Sequence, residues 1–97
     1  MNQFESPQVK ALKDRYRASF VEKIATLNEQ RNALAIDGDS QLTEAHESLH
    51  KLAGSSGMYG YEDVSLLCRK TMTKTDKADV VEGLDALIEL LEQHRQA

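Results

Sequence analysis

The residues best suited to chemistry lie in one stretch, His46-Glu47-Ser48-Leu49-His50-Lys51-Leu52-Ala53-Gly54-Ser55-Ser56-Gly57. A neutral imidazole is a competent nucleophile near pH 7, because its unperturbed pKa is about 6.5 and the free base keeps an available lone pair. His50 is therefore a candidate acceptor for an electrophilic group. The same stretch satisfies His-Glu-x-x-His, in which two histidines on one helical face hold zinc and the glutamate serves as general base. That zinc hydrolase reading, through His46, Glu47 and His50, lacks its other parts. The longer form of the motif needs a glycine where Ala53 stands and a third histidine where Ser56 stands. Neither a metal nor a cofactor is expected. A Gly-x-x-x-x-Gly-Lys loop and a kinase motif set are also missing from the sequence, so neither ATP binding nor self-phosphorylation is expected. Cys68 is the single cysteine and cannot form an internal disulfide; on an inward stripe, it reads as a core thiol of a reducing compartment. His94 has no cluster around it and reads as a charge partner near a helix end or as a solvated side chain.

These residues need a scaffold, and 97 residues are enough for one domain, 1–97, whose core buries roughly 65% of the unfolded surface. Apolar residues at 40%, charged residues at 29% and only 5 glycines and 1 proline favour helices. The net charge of −4 gives no general attraction to nucleic acid or anionic lipid, which points to proteins as partners. No basic-then-apolar leader and no run of about 18 apolar residues appears, so a cytoplasmic chain is expected, and its opening Met1 suits a free-standing protein.

Four helices are expected. Ser6 before Pro7 is a start signal, and Val9, Leu12, Tyr16, Phe20, Ile24, Leu27 and Leu34 then recur at helical spacing, predicting one long amphipathic helix to about Ile36. Asp37-Gly38-Asp39-Ser40 breaks the pattern and offers capping oxygens. Leu42, Ala45, Leu49, Leu52 and Ser56 mark the second helix; Val64, Leu67, Cys68 and Thr71 or Met72 the third; Val80, Leu84, Leu87, Ile88 and Leu91 the last. Short connections favour antiparallel neighbours, so the fold expected is all-α, an up-and-down antiparallel four-helix bundle.

On a helical wheel the apolar stripe of the second helix centres about 120° from His50, which puts the histidine on the exposed flank with Ala53, Gly54 and Gly57 within about 60° of it. Whether the helix continues through Gly54 and Gly57 or ends at Ala53 is left open by spacing. If it continues, each glycine costs about 1 kcal/mol relative to alanine, and close approach of another surface would give the reason. Tyr59 and Tyr61 either close the bundle end or line a docking surface.

His50-Lys51-Leu52-Ala53-Gly54-Ser55-Ser56-Gly57, followed by Gly60 and Cys68, resembles the histidine-containing phosphotransfer (HPt) domain of multistep phosphorelays. Phe20, Leu27, Ala33-Leu34-Ala35 and Ala45 also resemble that family's layout, so nearly the whole chain is covered. The resemblance implies a four-helix bundle in which His50 carries the phosphoryl group and Lys51, Gly54, Ser55 and Gly57 contact phosphate or partner. It implies a monomeric phosphoryl carrier without kinase activity, passing the group between receiver-domain aspartates. A helical interaction module that binds receiver domains without using His50 is the alternative. Two positions depart from the family: its lysine three residues after the histidine is Ala53 here, and its glutamine or glutamate on the next helix falls at Met72. Lys51 is either a substitute cation, whose side chain at about 100° from His50 must curl back to reach, or a solvated surface lysine.

Overall fold

The computed structural model describes residues 6–37 and 41–97, and all of its regular structure is helical: α1 (Pro7–Ala18), α2 (Phe20–Asp37), α3 (Leu42–Met58), α4 (Glu62–Met72) and α5 (Lys77–Gln96). Helices α2 to α5 pack as an up-and-down bundle in which α3 lies against α2 and α4, and α5 closes the ring against α4 and α2. Its core is formed by Phe20, Leu34, Leu49, Val64, Cys68, Val80, Leu84, Leu87 and Leu91, all fully buried. Burial without a charged neighbour pushes the Cys68 thiol up to about 12, as befits a core residue. Among the described residues, no helix is long and apolar enough to cross a membrane.

The single long first helix expected from periodicity is two helices. Ser6 caps α1 as anticipated, its Oγ accepting from the Val9 N–H at 3.1 Å ahead of Pro7. At Ser19 the chain turns. The Ser19 hydroxyl donates to the Tyr16 carbonyl at 2.5 Å, and its N–H is shared between the carbonyls of Arg15 and Tyr16. A serine that bonds back to its own helix in this way competes with the regular ladder and ends it, and α2 starts at the next residue. Val9 and Leu12 consequently continue the apolar spacing without entering the core, being about half exposed at 50% and 45%. Gly38–Ser40, which carried the expected turn and capping oxygens, lie outside the described residues.

Two termini are locked by side chains and one glycine. Where α3 ends, the Tyr61 N–H bonds to the Ser56 carbonyl at 2.8 Å and the Gly60 N–H to the Gly57 carbonyl at 3.2 Å, with Gly60 at φ +86°. This paired 6→1 and 5→2 pattern closes the helix and needs a left-handed residue that glycine adopts without steric cost. Beside it Tyr16 stacks on Tyr59 with ring centroids 4.6 Å apart, and Phe20 meets Tyr61 edge-on at 5.2 Å. His94 Nε2 lies 2.7 Å from Asp63 Oδ2 and its ring packs edge-on against Tyr61, tying the end of α5 to the start of α4. His94 is thus a hydrogen-bond partner of Asp63, and the two tyrosines close the bundle end.

The glycines give a direct test of this packing. A Cβ at Gly54 would meet nothing within 4 Å, whereas one at Gly83 would collide with the Thr71 side chain where α4 crosses α5. Gly54→Ala should raise stability by about 0.5–1 kcal/mol through helix propensity, and Gly60→Ala should lower it by about 1–2 kcal/mol through the left-handed backbone. Gly83→Ala should be destabilising despite the better propensity. Urea unfolding of the three variants checks the order; a stabilised Gly83→Ala protein would contradict the close α4–α5 contact.

Candidate functional site

The site is built on α3, whose buried face is Ala45, Leu49, Leu52, Ala53 and Ser56. Burying that stripe against α2 and α4 turns the opposite flank outward, and His50 is exposed there as the wheel anticipates. The open question about the glycines is resolved in favour of helix: α3 runs unbroken through Gly54 and Gly57 to Met58.

At Gly57, tertiary packing supplies the reason. Ser65 on α4 donates its hydroxyl to the Ala53 carbonyl at 2.8 Å, and a Cβ at Gly57 would stand 3.3 Å from that same Ser65 Oγ. The buried Ser56 hydroxyl is satisfied inside α3 by the Leu52 carbonyl at 2.6 Å. Two helices therefore approach closely just beyond His50, without an unpaired serine between them. Ala53, which the wheel places near the exposed histidine, is 4% exposed because α4 covers it. The position where the family carries lysine is thus a covered flank in this chain. Met72, at the other departure, is half-buried and packs against the core.

The structure distributes the remaining site candidates over three sides of α3. Lys51 lines one shallow hollow together with Thr43, His46, Glu47 and His50, so its side chain and the candidate histidine share a surface. Gly54 and Gly57 face a second hollow toward α4, with Met58, Ser65, Leu66 and Arg69. Ser55 points to the other side, where its Oγ and the Tyr16 hydroxyl are hydrogen-bonded at 2.6 Å, and it lines a groove between α2 and α3 with Lys23, Ser48 and Lys51. The hydroxyl of Ser55 is therefore held by Tyr16, away from His50. His46 is half-buried with its Nε2 unpartnered, and among the described residues no group of three histidine, cysteine or acidic side chains could hold a metal ion.

Sequence spacing missed three of these neighbours. Lys23 donates to Ser19 Oγ at 2.8 Å and sits 4.7 Å from the centre of the Tyr16 ring; burial holds its ammonium below the usual lysine range, opposed by Glu22. Ser65 and Arg69 come from α4 and meet α3 only through the tertiary fold. Their helical spacing of four was the one available signal that they share a face.

What such a surface can do is restricted. It presents an exposed imidazole on a helix, with Lys51 beside it in a hollow open to solvent, an arrangement suited to an acceptor that meets another macromolecule. The sequence model of the Hpt domain family matches residues 12–97, from the second turn of α1 to the last residue. Comparisons with characterised proteins and with solved structures give no match. With a family match over most of its length and the all-helical bundle to go with it, the chain belongs to the Hpt domain family and has a phosphotransfer role in two-component signalling.

Proposed function

We propose that this protein is a phosphorelay intermediate in which His50 accepts a phosphoryl group from the aspartate of one receiver domain and passes it to that of another. The observation that carries the reading is the exposure of His50 on the outer flank of α3, inside the stretch that resembles the family's motif. In the accepting step a neutral ring nitrogen of His50 attacks phosphorus, the bond from phosphorus to the aspartyl oxygen breaks, and the carboxylate leaves with the electron pair. The ring then sheds the proton of its other nitrogen, and the donating step reverses this sequence on a second aspartate. Because the transition state is loose, positioning and charge stabilisation account for most of the catalysis. Lys51, in the same hollow as His50, supplies one positive charge from this chain, and the receiver supplies the rest. Gly54 and Gly57 leave space for the partner. The protein works as a monomer in the cytoplasm, and its single thiol is buried and takes no part.

Incubation with receiver domains bearing aspartyl phosphate tests the assignment. His50→Gln should abolish an acid-labile, base-stable label while changing unfolding free energy by no more than about 0.5 kcal/mol, as expected for an exposed side chain. His46→Ala should still be labelled. Label retained by His50→Gln would overturn the acceptor, and receiver binding without any label would favour the plain interaction module.

Metal analysis separates the hydrolase reading. With only His46 and His50 available on one helical face, the purified protein should hold no stoichiometric zinc. Tight one-to-one zinc binding that disappears in either histidine variant would reinstate it.

A further inference from the structure

One ammonium group of the chain is held in place by the fold and lies outside the proposed relay. Lys23 is half-buried on the wall of the groove between α2 and α3, where its Nζ donates to Ser19 Oγ at 2.8 Å and stands 4.7 Å from the centre of the Tyr16 ring. Ser19 donates its own proton to the Tyr16 carbonyl, so the position of Nζ is set by the corner between α1 and α2. Burial holds this ammonium below the usual lysine range against the pull of Glu22, which raises the share of free amine near pH 7. Lys10, by comparison, is exposed and pairs with Asp14, and Lys70 is exposed on α4.

The groove in front of Lys23 is apolar for the most part, with Leu27 and Leu52 as its buried floor. Lys51 adds a second ammonium to its lining and Glu22 a single carboxylate, so two cations stand against one anion. The Ser48 hydroxyl accepts from Gln30 Nε2 at 2.5 Å and keeps its own proton to donate to a ligand. A ligand that matches this lining carries negative charge for the lysines and Ser48 and a short apolar group for the leucines. An acyl phosphate has both, joined through a carbonyl carbon that an amine can attack.

We propose that Lys23 is an acylation site whose donor is a small acyl phosphate bound in the α2–α3 groove, with Lys51 and Ser48 on its phosphate. The free amine of Lys23 attacks the carbonyl carbon, the bond from that carbon to the phosphate oxygen breaks, and inorganic phosphate leaves with the electron pair. The nitrogen then gives up a proton to water, leaving an uncharged amide. The charge over the Tyr16 ring disappears with it, at the corner where α1 meets α2. This reaction uses neither His50 nor a receiver domain, so it stands or falls apart from the relay.

Incubation of the full chain with acetyl phosphate, followed by digestion and mass spectrometry over a time course, gives the rate of acetylation at each lysine. Lys23 should be modified about three- to tenfold faster than the exposed Lys70, as expected where a larger fraction of the amine is free. Lys51→Ala and added inorganic phosphate should each slow the reaction at Lys23 and leave Lys70 unchanged. With p-nitrophenyl acetate, an acetyl donor that carries no phosphate, Lys23 should still lead but by a smaller margin, and neither Lys51→Ala nor added phosphate should alter it. Lys23 acetylated no faster than Lys70, or Lys51 modified first, would overturn the site. A rate at Lys23 that ignores both Lys51→Ala and added phosphate would overturn acyl phosphate as its donor.

Discussion

The close approach of α4 to α3 at Ser65 is the contact on which the rest of the site depends. Its hydroxyl reaches the Ala53 carbonyl at 2.8 Å, and the absence of a side chain at Gly57 spares it a tight contact of 3.3 Å. A buried hydroxyl without that acceptor would cost about 1–3 kcal/mol, so the bond discriminates sharply between this registry of the two helices and its neighbours. Once the registry is set, Leu49, Leu52 and Ser56 must face the core, and the flank bearing His50 must face outward. The Gly60 helix stop and the stacked tyrosines hold the end of the same hairpin, so the histidine is presented on a helix whose position is fixed from both sides.

This arrangement divides the chemistry between the chain and its partner. On the proposed reading the bundle contributes the nucleophile His50 and a small number of surface cations, and the hollow that His50 lines is open to solvent. Lys51 is the cation that shares a hollow with His50, and Lys23 is turned inward toward Ser19 and the Tyr16 ring. An exposed pair between Lys51 and a phosphoryl group is worth about 0.2–1 kcal/mol, a several-fold effect on an equilibrium at most. That modest hold suits a carrier, which has to release what it accepts.

Much of the bundle was legible in the sequence because its helices bury a continuous stripe. The apolar spacing located α3, α4 and α5, the exposed flank of His50 and the burial of Cys68. It did not find the turn at Ser19, where a single local bond from a serine to the Tyr16 carbonyl interrupts an otherwise regular period. Nor could spacing show that Val9 and Leu12 have nothing to pack against, since a period reports which face is apolar and not how far the neighbouring helices extend. The helical state of Gly54 and Gly57 was undecided for a related reason: propensity disfavours it, and the contact with Ser65 that favours it comes from a residue outside the stretch. Ala53 lay at the edge of the wheel's apolar stripe, where a rotation of a few tens of degrees decides between solvent and α4. Ser55 belonged to the motif, yet its hydroxyl serves Tyr16, a partner 39 residues away in the chain.

The central claim is that His50 carries phosphate on a helix already in place. Phosphorus and amide NMR of the full chain before and after treatment with phosphoramidate addresses it in one sample. The account predicts one phosphohistidine signal correlated with the His50 ring, amide shifts confined to the neighbouring turns of α3, and unchanged hydrogen-exchange protection from Leu49 through Ser56. Phosphate on His46 or His94, or protection lost through Gly54 and Gly57, would contradict it.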